Sequence, residues 1–85
     1  MEDCYSDNSG TIWDAELDAT GLLCPLPVLK ARKRLGSLGV GQVLRVLADD
    51  PAAVVDIPHF CHEQGHKLVA ADCEGTPHVY LIEKQ

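Results

Sequence analysis

The sequence predicts a two-layer α/β sandwich of order β-α-β-α-β-β, a four-stranded mixed sheet with two helices on one face. Three observations lead there. Residues 25–38 carry Val28, Ala31, Leu35 and Leu38 at helical spacing. Residues 42–48 are almost continuously apolar, with Val43, Leu44, Val46 and Leu47 around a single charge, Arg45, as in a mostly buried strand. Two further short apolar runs, 67–72 and 78–84, flank Cys73-Glu74-Gly75-Thr76-Pro77, which reads as a hairpin connection. Helices that alternate with strands and then give way to a hairpin form one layer over one sheet.

The elements follow in order. Residues 1–10 are polar and acidic, and are expected to be a flexible tail, with one domain spanning 11–85. Residues 12–18 alternate weakly through Ile12, Trp13, Ala15 and Leu17 and read as a strand, with Trp13 expected to pack against the first helix. Ala19-Thr20-Gly21 is a turn. The helix at 25–38 opens on Pro25 and Pro27, tolerated because first-turn amides have no partner within the helix. Lys30, Lys33, Arg34 and Ser37 form its polar face, and Arg32 lies at the border. Asp50 suits an N-cap and Pro51 a first helical position. The helix at 51–64 is expected to break near Pro58 and to end at Gly65.

With 85 residues and 46% apolar content, the chain supports one small core, and its chemistry is expected on the surface. No apolar run approaches the roughly 20 residues that cross a bilayer. The opening Met1-Glu2-Asp3 lacks the basic-then-apolar order of an export signal, so the expected location is the cytoplasm. The formal net charge of −6 opposes a nucleic-acid partner. Lys30, Arg32, Lys33 and Arg34 nevertheless cluster, which suggests a local docking surface for an acidic protein.

The four cysteines, Cys4, Cys24, Cys61 and Cys73, include no Cys-x-x-Cys pair, so a redox dithiol and a zinc ribbon both lack their signature. His59, Cys61, His62 and His66 fall close together. Gly65 interrupts the helix between His62 and His66, so no metal site is expected and Cys61 reads as core. Cys73 reads as an exposed bystander thiol, and a Cys61–Cys73 disulfide is disfavoured in a reducing compartment.

Cys24 is the candidate catalytic residue. It precedes Pro25 at the predicted helix start. Unpaired amides and the helix dipole there favour a thiolate, with Lys30 and Arg32 adding positive field, and the thiol is expected to titrate low. Pro25 and Pro27 stiffen the turn. Leu22, Leu23 and Leu26 would rim an exposed sulfur with apolar surface. From residue chemistry alone, a buried, inert capping cysteine is equally compatible.

The pattern Leu17-Asp18-Ala19-x-Gly21-Leu22-x-Cys24-Pro25-x-Pro27-Val28, followed by Arg32-Lys33, resembles the TusA/SirA family of small sulfur carriers. So do Ala48-Asp49-Asp50-Pro51-Ala52, Asp56-Ile57-Pro58-x-Phe60-Cys61 and Gly65-His66-x-Leu68. The resemblance spans about residues 16–84. It implies a persulfide on Cys24, loaded by a cysteine desulfurase or rhodanese-like donor and passed to an acceptor protein with a reactive cysteine. The destinations it implies are tRNA 2-thiouridine synthesis, molybdenum cofactor assembly or sulfur oxidation. It also implies that Arg32 and Asp50 lie near the partner-docking face. Leu26 departs from the charged residue found there in tRNA-thiolating carriers, which bears on the acceptor and not on the persulfide chemistry. The carrier is expected to need no cofactor and to be a monomer. The alternatives are a regulatory module whose cysteine transfers nothing and an RNA-binding module.

Overall fold

The computed structural model describes residues 13–73 and 75–85. The expected tail at 1–10 lies outside the described residues. Six elements follow one another: β1 (Ala15–Asp18), α1 (Leu26–Gly36), β2 (Val43–Ala48), α2 (Ala53–Gln64), β3 (Lys67–Asp72) and β4 (His78–Glu83). The strands lie in the order β1-β2-β4-β3. β1 runs parallel to β2, while β4 runs antiparallel to both β2 and β3. The mixed α/β sheet predicted from sequence is the observed one.

Alternation along the strands sorts the two faces of this sheet. Leu17, Leu44, Val46, Ala48, Ala71, Tyr80 and Ile82 point to the helical layer. There they meet Ala31 and Leu35 of α1 and Ala53, Ile57, Phe60 and Cys61 of α2 in one buried cluster. Leu35, Leu44, Ile57 and Ile82 are among the largest side chains buried completely. Each contributes roughly 1.5–3 kcal/mol by leaving water. The opposite face holds only a small cluster of Val43, Ala70 and Leu81.

Trp13 belongs to that second face, not to the α1 side expected from sequence. It is 43% exposed, and the guanidinium of Arg45 sits 4.7 Å from its ring centroid. Arg45 pairs with Glu16 at 2.7 Å on the same face. A cation over an indole face leaves the ring partly in water, so the aromatic needs no place in the core.

Helix α2 does not break at Pro58. It runs unbroken to Gln64, with Pro58 in its interior. Ala53, Ile57, Phe60 and Cys61 are buried at helical spacing, and that apolar stripe outweighs the one backbone bond a proline removes. Gly65 ends the helix at φ 77°, and the Gly65 and His66 amides close onto the His62 and Cys61 carbonyls. At the end of α1, the Lys84 ammonium donates to the carbonyl oxygens of Leu35 and Leu38 at 2.7 and 3.2 Å. A cation there satisfies orphan acceptors and opposes the negative helix end.

Candidate functional site

The site forms where the β1–α1 connection meets the start of α2. The chain leaves β1 at Asp18, whose carboxylate accepts from both the amide and the hydroxyl of Thr20 and is held below its ordinary pKa by those bonds. Gly21 follows at φ 81°, a left-handed conformation that favours glycine. Its amide donates to Asp49 Oδ1 at 3.0 Å. The Cys24 amide donates to Asp50 Oδ2 at 2.6 Å, and the other Asp50 oxygen accepts from the Ala52 amide at 3.1 Å. Adjacent aspartates after β2 therefore fasten the loop that presents Cys24. Asp50 is 8% exposed with both oxygens occupied, so its carboxylate faces the loop and not the solvent. A tight turn over Pro51 and Ala52 lies between Asp50 and α2. The regular helix starts later than the sequence predicts, although Asp50 still receives a first-turn amide.

Cys24 is exposed, and the Cys24–Pro25 peptide is cis. Leu23 and Leu26 beside it are 67% and 44% exposed, so two of the three expected rim leucines face water. Leu22 is half-buried and packs against the core. Pro27 is buried and anchors the first turn of α1, whereas Pro25 is exposed. Between the two helices runs a groove of about 340 Å³, headed by Cys24 and Pro25. Val28, Leu29 and Phe60 supply its apolar wall, and Arg32, Asp56, His59 and Glu63 its charged and polar edge.

The electrostatics of Cys24 reverse the sequence expectation. A hydrogen bond to the Asp56 carboxylate, then loss of solvent, then the negative charges of Asp56 and Asp50 push its thiol above the ordinary value. Helix α1 begins at Leu26 with Pro25 as its N-cap, so Cys24 lies outside the helix. Pro25 and Pro27 have no amide to offer, and the Leu26 amide is bonded to the Leu23 carbonyl at 2.8 Å. The donors that make a helix start attractive to a thiolate are thus largely missing, and the nearest charges are carboxylates. Asp56 was not singled out from sequence. The signal available was its place in the Asp56-Ile57-Pro58 block, one turn into the second helix.

The basic residues divide. Lys30, Arg32 and Lys33 are exposed and Arg34 is half-buried. Arg32 alone among them lines the groove with Cys24. Cys61 is a free, buried thiol, pushed up to about 12 by burial. Cys61 and Cys73 are therefore not paired. Cys73 is not the exposed free thiol expected: it is half-buried against the core and disulfide-bonded. His59 and His62 are exposed on α2, and His66 turns back toward Phe60, its Nδ1 accepting from the Gln85 amide at 3.1 Å. Among the described residues no three metal-ligating side chains gather, and no helix is long and apolar enough to cross a membrane.

The fold is shared with a SirA-like protein from Desulfitobacterium hafniense. Its crystal structure is 25% identical, with a TM-score of 0.69, and the match covers 82% of this chain and 95% of that one. The family described as sulfurtransferase TusA matches residues 15–84, from the first residue of β1 to just past β4, and so takes in both helices, the Cys24 loop and the paired aspartates. The chain belongs to the TusA sulfurtransferase family, whose members act as sulfur carriers.

Proposed function

We propose that Cys24 carries a sulfane sulfur as a persulfide between two partner proteins. The observation that carries this reading is the exposed Cys24 thiol at the head of an apolar-walled groove, its backbone tied to Asp50. The sulfur is accessible, yet its loop is fixed, as a relay that meets partners in sequence requires.

In the loading step, Cys24 sulfur attacks the terminal sulfur of a donor persulfide. A sulfur–sulfur bond forms on Cys24, the donor's bond breaks, and the donor leaves as a thiol with the proton Cys24 gave up. Unloading repeats the exchange with an acceptor cysteine. No external electrons are needed in either step, because each is a thiol exchange. A cysteine desulfurase or rhodanese-like enzyme fits the donor role. The acceptor protein would serve tRNA 2-thiouridine synthesis, molybdenum cofactor assembly or sulfur oxidation.

The exposed leucines, with Lys30, Arg32 and Lys33, give partners an apolar collar with a positive flank, which favours an acidic docking face. Asp50 then acts by positioning the loop, not by touching the partner. The carrier works as a monomer in the cytoplasm.

The test is intact mass after incubation with a cysteine desulfurase and cysteine. The protein should gain one sulfur atom, and Cys24→Ala should gain none. A gain that survives in Cys24→Ala, or no gain in the parent protein, contradicts the proposal.

A further inference from the structure

The groove headed by Cys24 has a charge that the basic face of α1 does not share. Its wall is apolar, with Val28 and Leu29 from α1 and Phe60 from α2. Leu29 is 49% exposed, so a large aliphatic side chain stands open at its rim. The charged edge is mixed. Arg32 lines it from α1, and Asp56 and Glu63 line it from α2. His59 lies between these two acids in the chain, 3.8 Å from Glu63. Lys30 and Lys33 are exposed but do not line the groove. With His59 neutral, the groove therefore sets the two carboxylates of Asp56 and Glu63 against the single guanidinium of Arg32.

Loading Cys24 deepens this imbalance. A free cysteine thiol is mostly protonated near neutral pH. A hydropersulfide is a stronger acid than its parent thiol, so the loaded group is an anion. The head of the groove thus gains a negative charge with the sulfur and loses it on transfer. The volume of about 340 Å³ lies at the small end of ligand pockets, room for a few side chains and not for a folded domain.

We propose that this groove docks the cysteine-bearing segment of the acceptor protein, taking an apolar side chain between α1 and α2 and a lysine or arginine along Asp56 and Glu63. The load then sets the affinity. The anionic persulfide draws the basic segment in, and the neutral thiol left after transfer lets it go. Lys30 and Lys33, outside the groove, keep their own contacts for an acidic partner surface. This proposal rests on Cys24 being the carrier residue, and it adds the chemistry of the acceptor.

The test loads the carrier with inorganic polysulfide and follows sulfur transfer to synthetic peptides by mass spectrometry. The reference peptide places a leucine and a lysine beside its single cysteine. One companion replaces the lysine with glutamate, and another replaces the leucine with serine. Each rate is divided by the rate to free cysteine on the same carrier, which cancels changes in Cys24 itself. The reference peptide should outpace the glutamate peptide about fivefold at low salt, narrowing as salt rises. It should outpace the serine peptide by about tenfold. Glu63→Lys should abolish the preference for lysine, whereas Glu83→Lys on β4, with the same change in net charge, should preserve it. Leu29→Ser should weaken the preference for leucine. A reference peptide with serine in place of cysteine should bind the loaded carrier about two- to fivefold more tightly than the empty one, read by fluorescence anisotropy. Equal ratios for the three peptides overturn groove docking, and so does a lysine preference that Glu63→Lys and Glu83→Lys reduce alike. Equal affinity for loaded and empty carrier overturns the load dependence. No transfer even to free cysteine defeats the carrier reading and this proposal with it, while a failure confined to the peptides defeats this proposal alone.

Discussion

Replacing Asp50 with alanine removes two backbone contacts at once, and its cost can be worked out bond by bond. The Oδ2 bond to the Cys24 amide is 2.6 Å long, and the Oδ1 bond to the Ala52 amide is 3.1 Å. A hydrogen bond to a charged group contributes roughly 1.5–3 kcal/mol, and a capping bond to a first-turn amide about 1 kcal/mol. Water can reach the exposed Cys24 loop and recover part of this, so Asp50→Ala should cost about 2–4 kcal/mol. That is a large share of the roughly 5–15 kcal/mol that stabilises a small domain. Asp50→Asn keeps one carbonyl oxygen and one of the two bonds, and should cost about half as much. Urea denaturation followed by far-ultraviolet circular dichroism gives both values, with the slope m unchanged if only native contacts are lost. A cost for Asp50→Ala below about 0.5 kcal/mol, the range of ordinary surface changes, would refute the two-bond account. So would an asparagine variant as unstable as the alanine one.

Three further outcomes are expected. Lys84→Met should lower stability by about 1–3 kcal/mol in the same assay, because it leaves the half-buried Leu35 and Leu38 carbonyls without their charged donor. Stability should fall at alkaline pH: burial raises Cys61 from 9.0 and Tyr80 from 10.0, each to about 12. The folded state keeps protons that the unfolded chain gives up, so this contribution is complete below pH 9.0 and is lost as pH climbs toward 12. Tyr80→Phe should flatten that decline in denaturation midpoints measured across the range. Finally, Lys30→Glu with Lys33→Glu should leave stability within about 0.5 kcal/mol. The pair should slow sulfur uptake from a desulfurase, with the difference shrinking as salt rises, and an unchanged loading rate at low salt would place docking elsewhere.

Much of the fold is legible in the sequence because its signals are local. Val28, Ala31, Leu35 and Leu38 mark α1 by spacing, and the turn-rich segment after Asp72 marks the β3–β4 hairpin. Errors arise where tertiary contacts decide. Pro58 is locally a helix breaker, but the stripe of Ile57, Phe60 and Cys61 buries against the sheet and carries α2 through it. Trp13 looks like core in an alternating segment, yet its partner is Arg45 on β2, a neighbour visible only once β1 and β2 pair.

The site divides the same way. Cys24, its prolines and the leucines beside it can be read directly, since they are adjacent in the chain. The charge state of the sulfur cannot, because Asp50 and Asp56 arrive from α2 and its approach. A reading confined to sequence neighbours sees a helix start and cations, whereas folding brings the carboxylates closer. Asp50 has a task that resemblance alone does not reveal, because its two oxygens bond amides brought together only by folding. Asp50 was expected near the partner-docking face, and it is buried as a fastener of the Cys24 loop.

The most direct test of the central claim is to locate the transferred sulfur atom. After a single loading by a desulfurase, persulfides are trapped by alkylation and mapped by peptide mass spectrometry. A parallel sample is first exposed to excess acceptor thiol. The account predicts the extra sulfur on Cys24 alone, with the buried Cys61 unmodified, and its disappearance from the acceptor-treated sample. Sulfur found on Cys61 or Cys73, or retained on Cys24 against the acceptor thiol, would contradict a carrier function for the Cys24 loop.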